Sequence, residues 1–156
     1  MIRELEPADI GAAAELMFQS WARSYADIVP SDQHPSVAEH AGYLTGGEAT
    51  LGWVYELGGQ LAAVAWVVGV DGDDPELSAL HVAPAAQGAG VGTQMHDHLL
   101  DGLRKAGKDR VHLWVFRENG QARDFYHQRG WRLHRAALDV PDRCSAAPAI
   151  RLDKAL

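Results

Sequence analysis

A glycine-rich passage carries the clearest chemical signal in the sequence. Gly88, Gly90 and Gly92 alternate with other residues within Gln87–Thr93, directly before a segment of helical periodicity. Glycines allow the backbone to approach a ligand without Cβ clashes, and the first turn of a helix presents unpaired N–H groups. With the helix dipole, these groups favour a phosphate or pyrophosphate as the ligand. A plain glycine turn is the alternative interpretation.

Two common nucleotide-binding motifs do not fit this passage. A P-loop requires Gly-Lys followed by Ser or Thr, whereas Gly92 is followed by Thr93 and Gln94. The dinucleotide fingerprint requires a glycine at the position of Thr93, and Ala83–Gln87 separates the preceding strand from the glycines. A nucleoside triphosphatase is therefore disfavoured, and an NAD-dependent oxidoreductase is a distant alternative.

The elements around the passage predict a sheet protein with helices. Apolar residues spaced four apart mark the helix after the glycines, and they are Val91, Met95, Leu99 and Leu103. Gly58-Gly59 predicts a two-residue hairpin turn between two strands. The predicted strands are Thr50–Leu57, Gln60–Val70, Glu76–Val82, Val111–Phe116, Trp131–Ala137 and Ala149–Leu152. With a helix at Gly120–Arg129 and a loop at Pro141–Pro148, the order βββαβαββ indicates an α/β or α+β fold.

The first 47 residues predict one short strand and two helices. Ile2–Leu5 is the strand, and Pro7 begins a helix whose apolar stripe extends to about Tyr25. Ser36 and Glu39 form a capping-box pattern for a second helix that ends near Gly46-Gly47.

Length and composition predict one domain over residues 1–156. Of the 156 residues, 47% are hydrophobic and 22% are charged, which is typical of a globular chain. The net charge of −7 and the lack of a run of Lys or Arg disfavour a nucleic-acid partner. An acidic protein suits a cationic or neutral partner better.

The sequence also predicts a cytoplasmic location without a membrane partner. The single cysteine, Cys144, excludes an internal disulfide, and we expect it to be structural. The first 20 residues carry four acidic residues and only Arg3 as a basic one, unlike a targeting peptide. The longest apolar run, Leu61–Val68, is far shorter than the roughly 20 residues of a membrane helix.

Two ordered blocks of the sequence match the motifs of a known family. Gln87–Gly92 fits the pattern Gln/Arg-x-x-Gly-x-Gly/Ala, with a hydrophobic-x-Val-x-Pro strand end at Leu80–Pro84 before it. Asn119–Trp131 fits the pattern Asn-x-x-Ala-x-x-hydrophobic-Tyr-x-x-x-Gly-aromatic. In this order the two blocks resemble the GNAT superfamily of N-acetyltransferases. Ile2-Arg3 with Pro7 and Asp9, and Trp21–Pro30, are also similar to small members. The resemblance implies a mixed, mostly antiparallel central sheet of six to seven strands flanked by about four helices.

The resemblance implies acetyl-coenzyme A as the donor, although a longer acyl group stays open. The backbone amides of Gly88–Thr93 would bind its pyrophosphate, and its pantetheine arm would follow Leu80–Val82. Gln87 takes a position often held by arginine, so it offers hydrogen bonds without charge. The implied donor-binding residues are Leu80, His81, Val82, Gln87, Gly88, Ala89, Gly90, Val91, Gly92, Thr93, Asn119 and Arg123.

Two of these residues have an alternative role. Asn119 would bind the pantetheine arm, but an asparagine at this position could equally cap the following helix. Arg123 would bind the outlying phosphate of the coenzyme, although a solvated surface arginine fits the pattern equally well.

Acetyl transfer needs an acid, a base and a group that holds the thioester oxygen. By resemblance Tyr126 would protonate the leaving thiolate, with a core tyrosine as the alternative. Glu76 is the candidate base, and Asp73, Asp74 or a water chain are the alternatives. A backbone N–H at His81 or Val82 would stabilise the oxyanion.

We weighed a metal site among the eight histidines and expect none. His96 and His98 are two apart on a helix, so they point to different faces.

The acceptor is predicted to be a primary amine, most simply that of a small molecule. By resemblance, Trp21–Asp32 and Pro35–Tyr43 would form the wall of its pocket, where Asp27, Asp32, Glu39 and Glu48 could attract a cation. The predicted function is transfer of acetyl by direct attack in a ternary complex. A non-catalytic acyl-coenzyme A sensing module and a protein α-amine or lysine acceptor are alternatives. Related proteins of this architecture are often dimers, which leaves a homodimer open.

Overall fold

A computed structural model describes residues 1–47, 49–134, 140–141 and 147–156. Its strands belong to one sheet in the order β1-β2-β3-β4-β5-β8-β6, and β7 also pairs with β8. The strands are β1 (Ile2–Glu4), β2 (Leu51–Leu57), β3 (Gln60–Val68), β4 (Glu76–Val82), β5 (Arg110–Phe116), β6 (Arg132–Leu133), β7 (Val140–Pro141) and β8 (Pro148–Ala155). The helices are α1 (Ile10–Ser24), α2 (Val37–Thr45), α3 (Val91–Lys105) and α4 (Gly120–Gln128). The predicted fold class is confirmed.

The sheet is antiparallel except between β4 and β5, which are parallel. Within the described residues these two strands are paired at one position, where Glu76 lies opposite His112. Toward their carboxyl ends β4 and β5 therefore diverge and leave a gap in the sheet. Because α3 follows β4 and α4 follows β5, both helices begin beside the open end of this gap.

The sheet is covered on both faces, since the two sides of β3 pack into different apolar clusters. Ala63 and Ala65 pack with the buried stripe of α3. Val64 and Trp66 point the other way and pack with α1. Of the helices in the described part of the chain, none is long and apolar enough to cross a membrane.

The local signals for turns and caps are confirmed. Gly58 and Gly59 have φ angles of +57° and +76°, as the hairpin turn requires. Ser36 and Glu39 form the capping box at the start of α2. Pro7 begins a short 3-10 turn over Pro7–Asp9, and the α-helix begins only at Ile10.

The carboxyl-terminal strands differ from prediction. The last strand covers Pro148–Ala155, longer than the predicted Ala149–Leu152, because Ala149–Ala155 pair with β5 and Pro148 pairs with β7. The predicted loop Pro141–Pro148 is wrong at its two ends, since these prolines lie opposite each other across β7 and β8. Trp131–Ala137 begins as β6 at Arg132, and its last three residues lie outside the described ranges, as does Cys144.

Candidate active site

The end of β4 beside the gap contributes to the lining of two cavities. His112 N–H donates to the carbonyl of Pro75 at 3.0 Å, at the closed end of the gap. Toward Val82 the outer edge of β4 faces the gap, while its other edge is paired with β3 along its length. Apart from the Val82 carbonyl, which accepts from Gln87, the backbone groups on this outer edge are therefore available to a ligand.

The first cavity, here called the glycine-loop cavity, has a volume of about 330 Å³. It is lined by the end of β4, the glycine passage, the first turn of α3, α4 and one side of α1. Of the donor-binding candidates, it gathers Leu80, His81, Val82, Gln87, Gly88, Gly90, Gly92, Thr93 and Asn119. Ala89, Val91 and Arg123 are not among its lining residues.

The backbone of the glycine passage has the geometry of an anion site. Gly88 and Gly90 both have φ of +80°, a conformation that side chains with a Cβ adopt only at a cost. Gly90 is the N-cap residue of α3 and, among the described side chains, none caps this helix. The N–H groups of the first turn are thus left for a ligand.

Gln87 is engaged with the protein itself. Its Nε2 donates to the carbonyl of Val82 at 3.2 Å, so the side chain ties the loop to the end of β4. A contact between Gln87 and pyrophosphate stays a prediction.

Asn119 and Arg123 both make the contacts of their alternative roles. Asn119 Oδ1 accepts a hydrogen bond from the N–H of Ala122 at 3.2 Å and so caps α4. Arg123 is exposed and donates to the carbonyl of Arg117 at 2.9 Å. Their contacts with a coenzyme therefore stay predictions, although Asn119 does line the cavity.

Arg129 is a residue that sequence reasoning missed. Its guanidinium lies 3.6 Å over the ring of Phe125 and donates to the carbonyl of Phe125 at 2.8 Å. It also donates to Oγ1 of Thr93, in the first turn of α3. The i, i+4 spacing from Phe125 could have predicted the first contact. The bond to Thr93 depends on how α4 packs on α3, and no local pattern encodes it.

The second cavity, here called the aromatic cavity, has a volume of about 790 Å³. Both segments expected to form the acceptor wall contribute to it, through α1, α2 and the residues between them. Its aromatic lining residues are Trp21, Tyr25, Tyr43, Trp114, Phe116 and Tyr126. Its acidic ones include Asp32 and Glu39, whereas Asp27 does not line it and Glu48 lies outside the described residues.

The two cavities meet at a junction formed by five residues that line both. They are Tyr25, Leu80, His81, Ala122 and Tyr126. A ligand in one cavity can therefore contact a ligand in the other at the diverging end of β4.

Tyr126 lies at this junction and is buried, with 9% of its surface exposed. Its ring packs edge to face on Phe125 at 5.2 Å and on Trp131 at 5.4 Å. Burial raises the pKa of Tyr126 above its usual value of 10.0, and the nearby Tyr25 raises it further. The phenol is therefore protonated at neutral pH and can donate a hydrogen bond.

His81 contributes a side chain that the sequence analysis did not consider. Its Nδ1 lies 3.0 Å from Oγ of Ser20 on α1, and its side chain is buried. Burial, together with His40, lowers the pKa of His81 to about 4. The imidazole at the junction is thus neutral at pH 7.

The structure separates the three candidate bases. Glu76 is partly buried and lines the aromatic cavity. Burial alone would raise the pKa of Asp74, but bonds to Arg151 at 2.8 Å and His112 at 3.0 Å lower it. Neither Asp74 nor Asp73 is among the residues that line the cavities. Of the three candidate bases, Glu76 is therefore the one that lines a cavity.

Glu76 lies some way from the junction. Glu76 and Leu80 are four positions apart on β4, which corresponds to about 13 Å at the usual rise of a β-strand. A proton passing from the junction to this carboxylate would need a water chain or an acceptor that spans the distance.

No metal centre accompanies these residues in the part of the chain that the structure describes. The His, Cys, Asp and Glu side chains in that part form no group of three or more that could hold a metal ion.

Comparison with known sequences identifies the family. The sequence profile described as "Acetyltransferase (GNAT) family" matches residues 14–131. A curated relative, mycothiol acetyltransferase from Beutenbergia cavernae, is 42% identical over 73 residues, which are 47% of this chain and 25% of that protein. The chain thus matches about a quarter of the length of this relative.

Comparison with solved structures identifies the same fold. The PaiA N-acetyltransferase from Thermoplasma acidophilum, solved in complex with coenzyme A, has a TM-score of 0.80 at 17% identity, covering 100% of this chain and 98% of that one. The ribosomal-protein-S18-alanine N-acetyltransferase from Escherichia coli has a TM-score of 0.76 at 24% identity, covering 99% and 92%. Since the family profile also spans well over half of its length, the chain belongs to the GNAT acetyltransferase family.

Proposed function

We propose that this protein transfers an acetyl group from acetyl-coenzyme A to the primary amine of a small molecule, in a ternary complex. The observation that carries this proposal is the junction, where Tyr126 and the end of β4 line both cavities. Two substrates held on either side of it would meet without leaving the protein. Direct attack needs such close approach of the amine and the thioester.

The donor fits the glycine-loop cavity. The uncapped first turn of α3 and the N–H groups of Gly88–Thr93 would bind the pyrophosphate. The free edge of β4 at Leu80–Val82 would hydrogen-bond the pantetheine arm, as an added strand would. Asn119 would contact this arm, and Arg123 the outlying phosphate.

The reaction then uses three groups of the chain. Glu76 accepts the proton that the amine loses, through water, as the amine nitrogen bonds to the thioester carbon. The backbone N–H of Val82 holds the carbonyl oxygen as it gains negative charge, since the register of β4 on β3 directs the N–H of Val82 away from β3 and that of His81 toward it. Tyr126 gives its proton to the sulfur as the carbon–sulfur bond breaks, which leaves the amide and the free thiol.

The acceptor fits the aromatic cavity. Its volume of about 790 Å³ is within the range of roughly 300–1,000 Å³ for small-molecule pockets. Asp32, Glu39 and Glu76 supply carboxylates that attract a protonated amine. Trp21 packs edge to face on Tyr25 and Phe116, which gives the cavity a rigid apolar wall.

The test is an assay of thiol release from acetyl-coenzyme A with a panel of small primary amines and of peptides with free α-amines. We expect turnover with at least one small amine and weaker turnover with peptides. Peptide turnover exceeding that of every small amine would assign a protein acceptor instead. Donor binding without turnover of any amine would favour the sensing module.

The same assay tests Tyr126 with a matched control. Replacing Tyr126 by Phe removes the acid, so kcat should fall by about 100-fold, the lower end of the general-acid range. The control is Tyr55→Phe, because Tyr55 donates to Gln94 at 2.9 Å and lines neither cavity. Wild-type kcat in the Tyr126→Phe variant would contradict the role of Tyr126.

A further inference from the structure

The glycine-loop cavity has little positive charge for an anionic ligand. Among its lining residues in the described part of the chain, none is a lysine or an arginine. Gln87 adds no charge, and its amide is bonded to Val82. A pyrophosphate bound here would depend on the N–H groups of α3 and on a cationic side chain outside the lining of the cavity.

Arg129 is a cationic residue that contacts two of the residues lining this cavity. Its guanidinium stacks 3.6 Å above the ring of Phe125, and Phe125 lines the cavity. It also donates to Oγ1 of Thr93, which lines the same cavity. Arg129 itself does not line the cavity, so it acts from behind these two side chains.

The bond between Arg129 and Thr93 limits the directions in which the threonine hydroxyl can donate. A guanidinium only donates, whereas a hydroxyl has one proton to donate and two acceptor lone pairs. With one lone pair of Thr93 taken by Arg129, the hydroxyl proton must point away from the arginine. A hydroxyl that accepts from a cation is also a stronger donor, because hydrogen bonds in a chain polarise each other.

We propose that Arg129 is a positioning residue for the donor, which turns the hydroxyl of Thr93 toward the pyrophosphate and supplies the positive charge that Gln87 lacks. This inference rests on the proposed function, since it assigns the anion at the glycine loop to the donor. It differs from a purely structural role, in which Arg129 would only hold α4 against α3. The two roles separate when the ligand has no phosphate.

The experiment compares binding of coenzyme A with binding of pantetheine, which shares the arm and lacks the phosphates, by titration calorimetry. In Arg129→Met we expect the dissociation constant for coenzyme A to rise by about tenfold, the loss of one charge-assisted interaction. The constant for pantetheine should stay within twofold of wild type. Thr93→Val should show the same selectivity, and adding it to Arg129→Met should cause little further loss, because both remove one coupled unit.

Control variants distinguish a loss of coenzyme A binding from a loss of folding. Arg104→Met removes an exposed arginine of α3 that pairs with Asp101, and it should leave both constants unchanged. Arg129→Lys keeps the charge without the planar fork and should bind coenzyme A with intermediate affinity. If Arg129→Met does not fold, Thr93→Val and Arg129→Lys carry the comparison.

The outcomes are distinct. Equal weakening for coenzyme A and pantetheine, or no weakening for either, would overturn the inference and leave the proposed function standing. Wild-type protein that binds neither ligand would overturn the proposed function and this inference with it.

Discussion

Burial sets the protonation state of the titratable side chains at and around the junction. Tyr126 is held protonated by burial, which raises its pKa. Burial lowers the pKa of His40, His81 and His96, so these imidazoles are neutral at pH 7. In His96 the tautomer is also fixed, since Nε2 accepts from Trp131 at 2.9 Å. The junction therefore combines the protonated phenol of Tyr126 with the neutral imidazole of His81.

The role of Glu76 predicts a clear contrast between neighbouring carboxylates. Glu76→Gln removes the proton acceptor, so kcat should fall by about 100-fold while the KM for acetyl-coenzyme A changes little. Asp74→Asn is the matched control, because Asp74 is bound by Arg151 and His112. Steady-state kinetics of both variants checks this. A larger loss of kcat in Asp74→Asn than in Glu76→Gln would assign the base to Asp74.

His81 predicts how stability depends on pH. Its pKa is 6.5 when unfolded and about 4 when folded, so between these values the unfolded chain binds a proton that the folded chain does not. The stabilisation is full above pH 6.5 and is lost as pH falls toward 4. At 1.36 kcal/mol per pKa unit, the titration of His81 alone should lower the free energy of unfolding by about 3 kcal/mol as the pH falls across that range.

Chemical unfolding at a series of pH values measures this effect. His81→Gln should flatten the fall in the free energy of unfolding between pH 6.5 and 4, whereas His127→Gln, at an exposed position, should leave it as in wild type. An unchanged slope in His81→Gln would show that His81 does not titrate as its burial implies.

Single residues differ in how far the sequence could predict them. The place of Tyr126 and the three glycines in the lining of one cavity could be predicted, because it follows from their positions within short motifs, while their roles stay predictions. Arg129 and the side chain of His81 were missed because their partners, Thr93 and Ser20, lie 36 and 61 residues away. Contacts at such separation depend on how elements pack, and a local pattern does not encode packing.

At the scale of elements, the glycine loop and α3 form the part of the donor site that depends most on backbone shape. Gly90→Ala forces a Cβ into a conformation with φ of +80°, at a cost of about 1 kcal/mol, and shifts the first N–H groups of α3. The KM for acetyl-coenzyme A should therefore rise by tenfold or more. Steady-state kinetics and thermal unfolding together measure both effects.

The hairpin turn offers the control for this prediction. Gly58 also has a positive φ, of +57°, and no heavy atom lies within 4 Å of a Cβ built there. Gly58→Ala should lower stability by a similar amount and leave the KM unchanged. A KM equal to wild type in Gly90→Ala would show that the loop does not bind the donor.

The strands show what sequence patterns determine at this scale. Alternation and apolar runs predicted β4 with its observed ends, and the two glycines predicted the turn between β2 and β3. The divergence of β4 and β5 was not predicted, because it depends on the register between two parallel strands whose paired residues, Glu76 and His112, are 36 positions apart in the sequence. The composition of either strand does not encode this register. The length of β8 was underestimated for the same reason, since pairing with β5 extends it through Asp153 and Lys154.

At the scale of the whole molecule, the close packing of the helices on the sheet determines which substitutions the fold tolerates. Gly102 of α3 faces Trp53 of β2, and a Cβ at this glycine would overlap the indole ring. Although Ala favours a helix over Gly by up to about 1 kcal/mol, overpacking typically costs roughly 1–3 kcal/mol. Gly102→Ala should thus lower the free energy of unfolding, as denaturant titration would show.

Gly42 of α2 provides the opposite case. No heavy atom lies within 4 Å of a Cβ built there, so Gly42→Ala should raise the free energy of unfolding through helix propensity alone. Stabilisation by both substitutions would mean that α3 does not pack against Trp53 as described.

The arrangement of the whole chain also bears on its partners. The net charge of −7 suits a cationic acceptor and disfavours nucleic acid. A cytoplasmic location, a single domain and a homodimer stay predictions, and a sedimentation measurement would test the last.

The central claim is that the glycine-loop cavity holds a coenzyme A thioester. The most direct test is a thermal unfolding titration of the purified protein with acetyl-coenzyme A, coenzyme A, NADH and ATP side by side. A ligand at a hundredfold excess over its dissociation constant stabilises the native state by about 2.7 kcal/mol. We predict a raised Tm with the two coenzyme A ligands and little change with the others. No shift with either at millimolar concentration, or a shift with NADH alone, would contradict the claim.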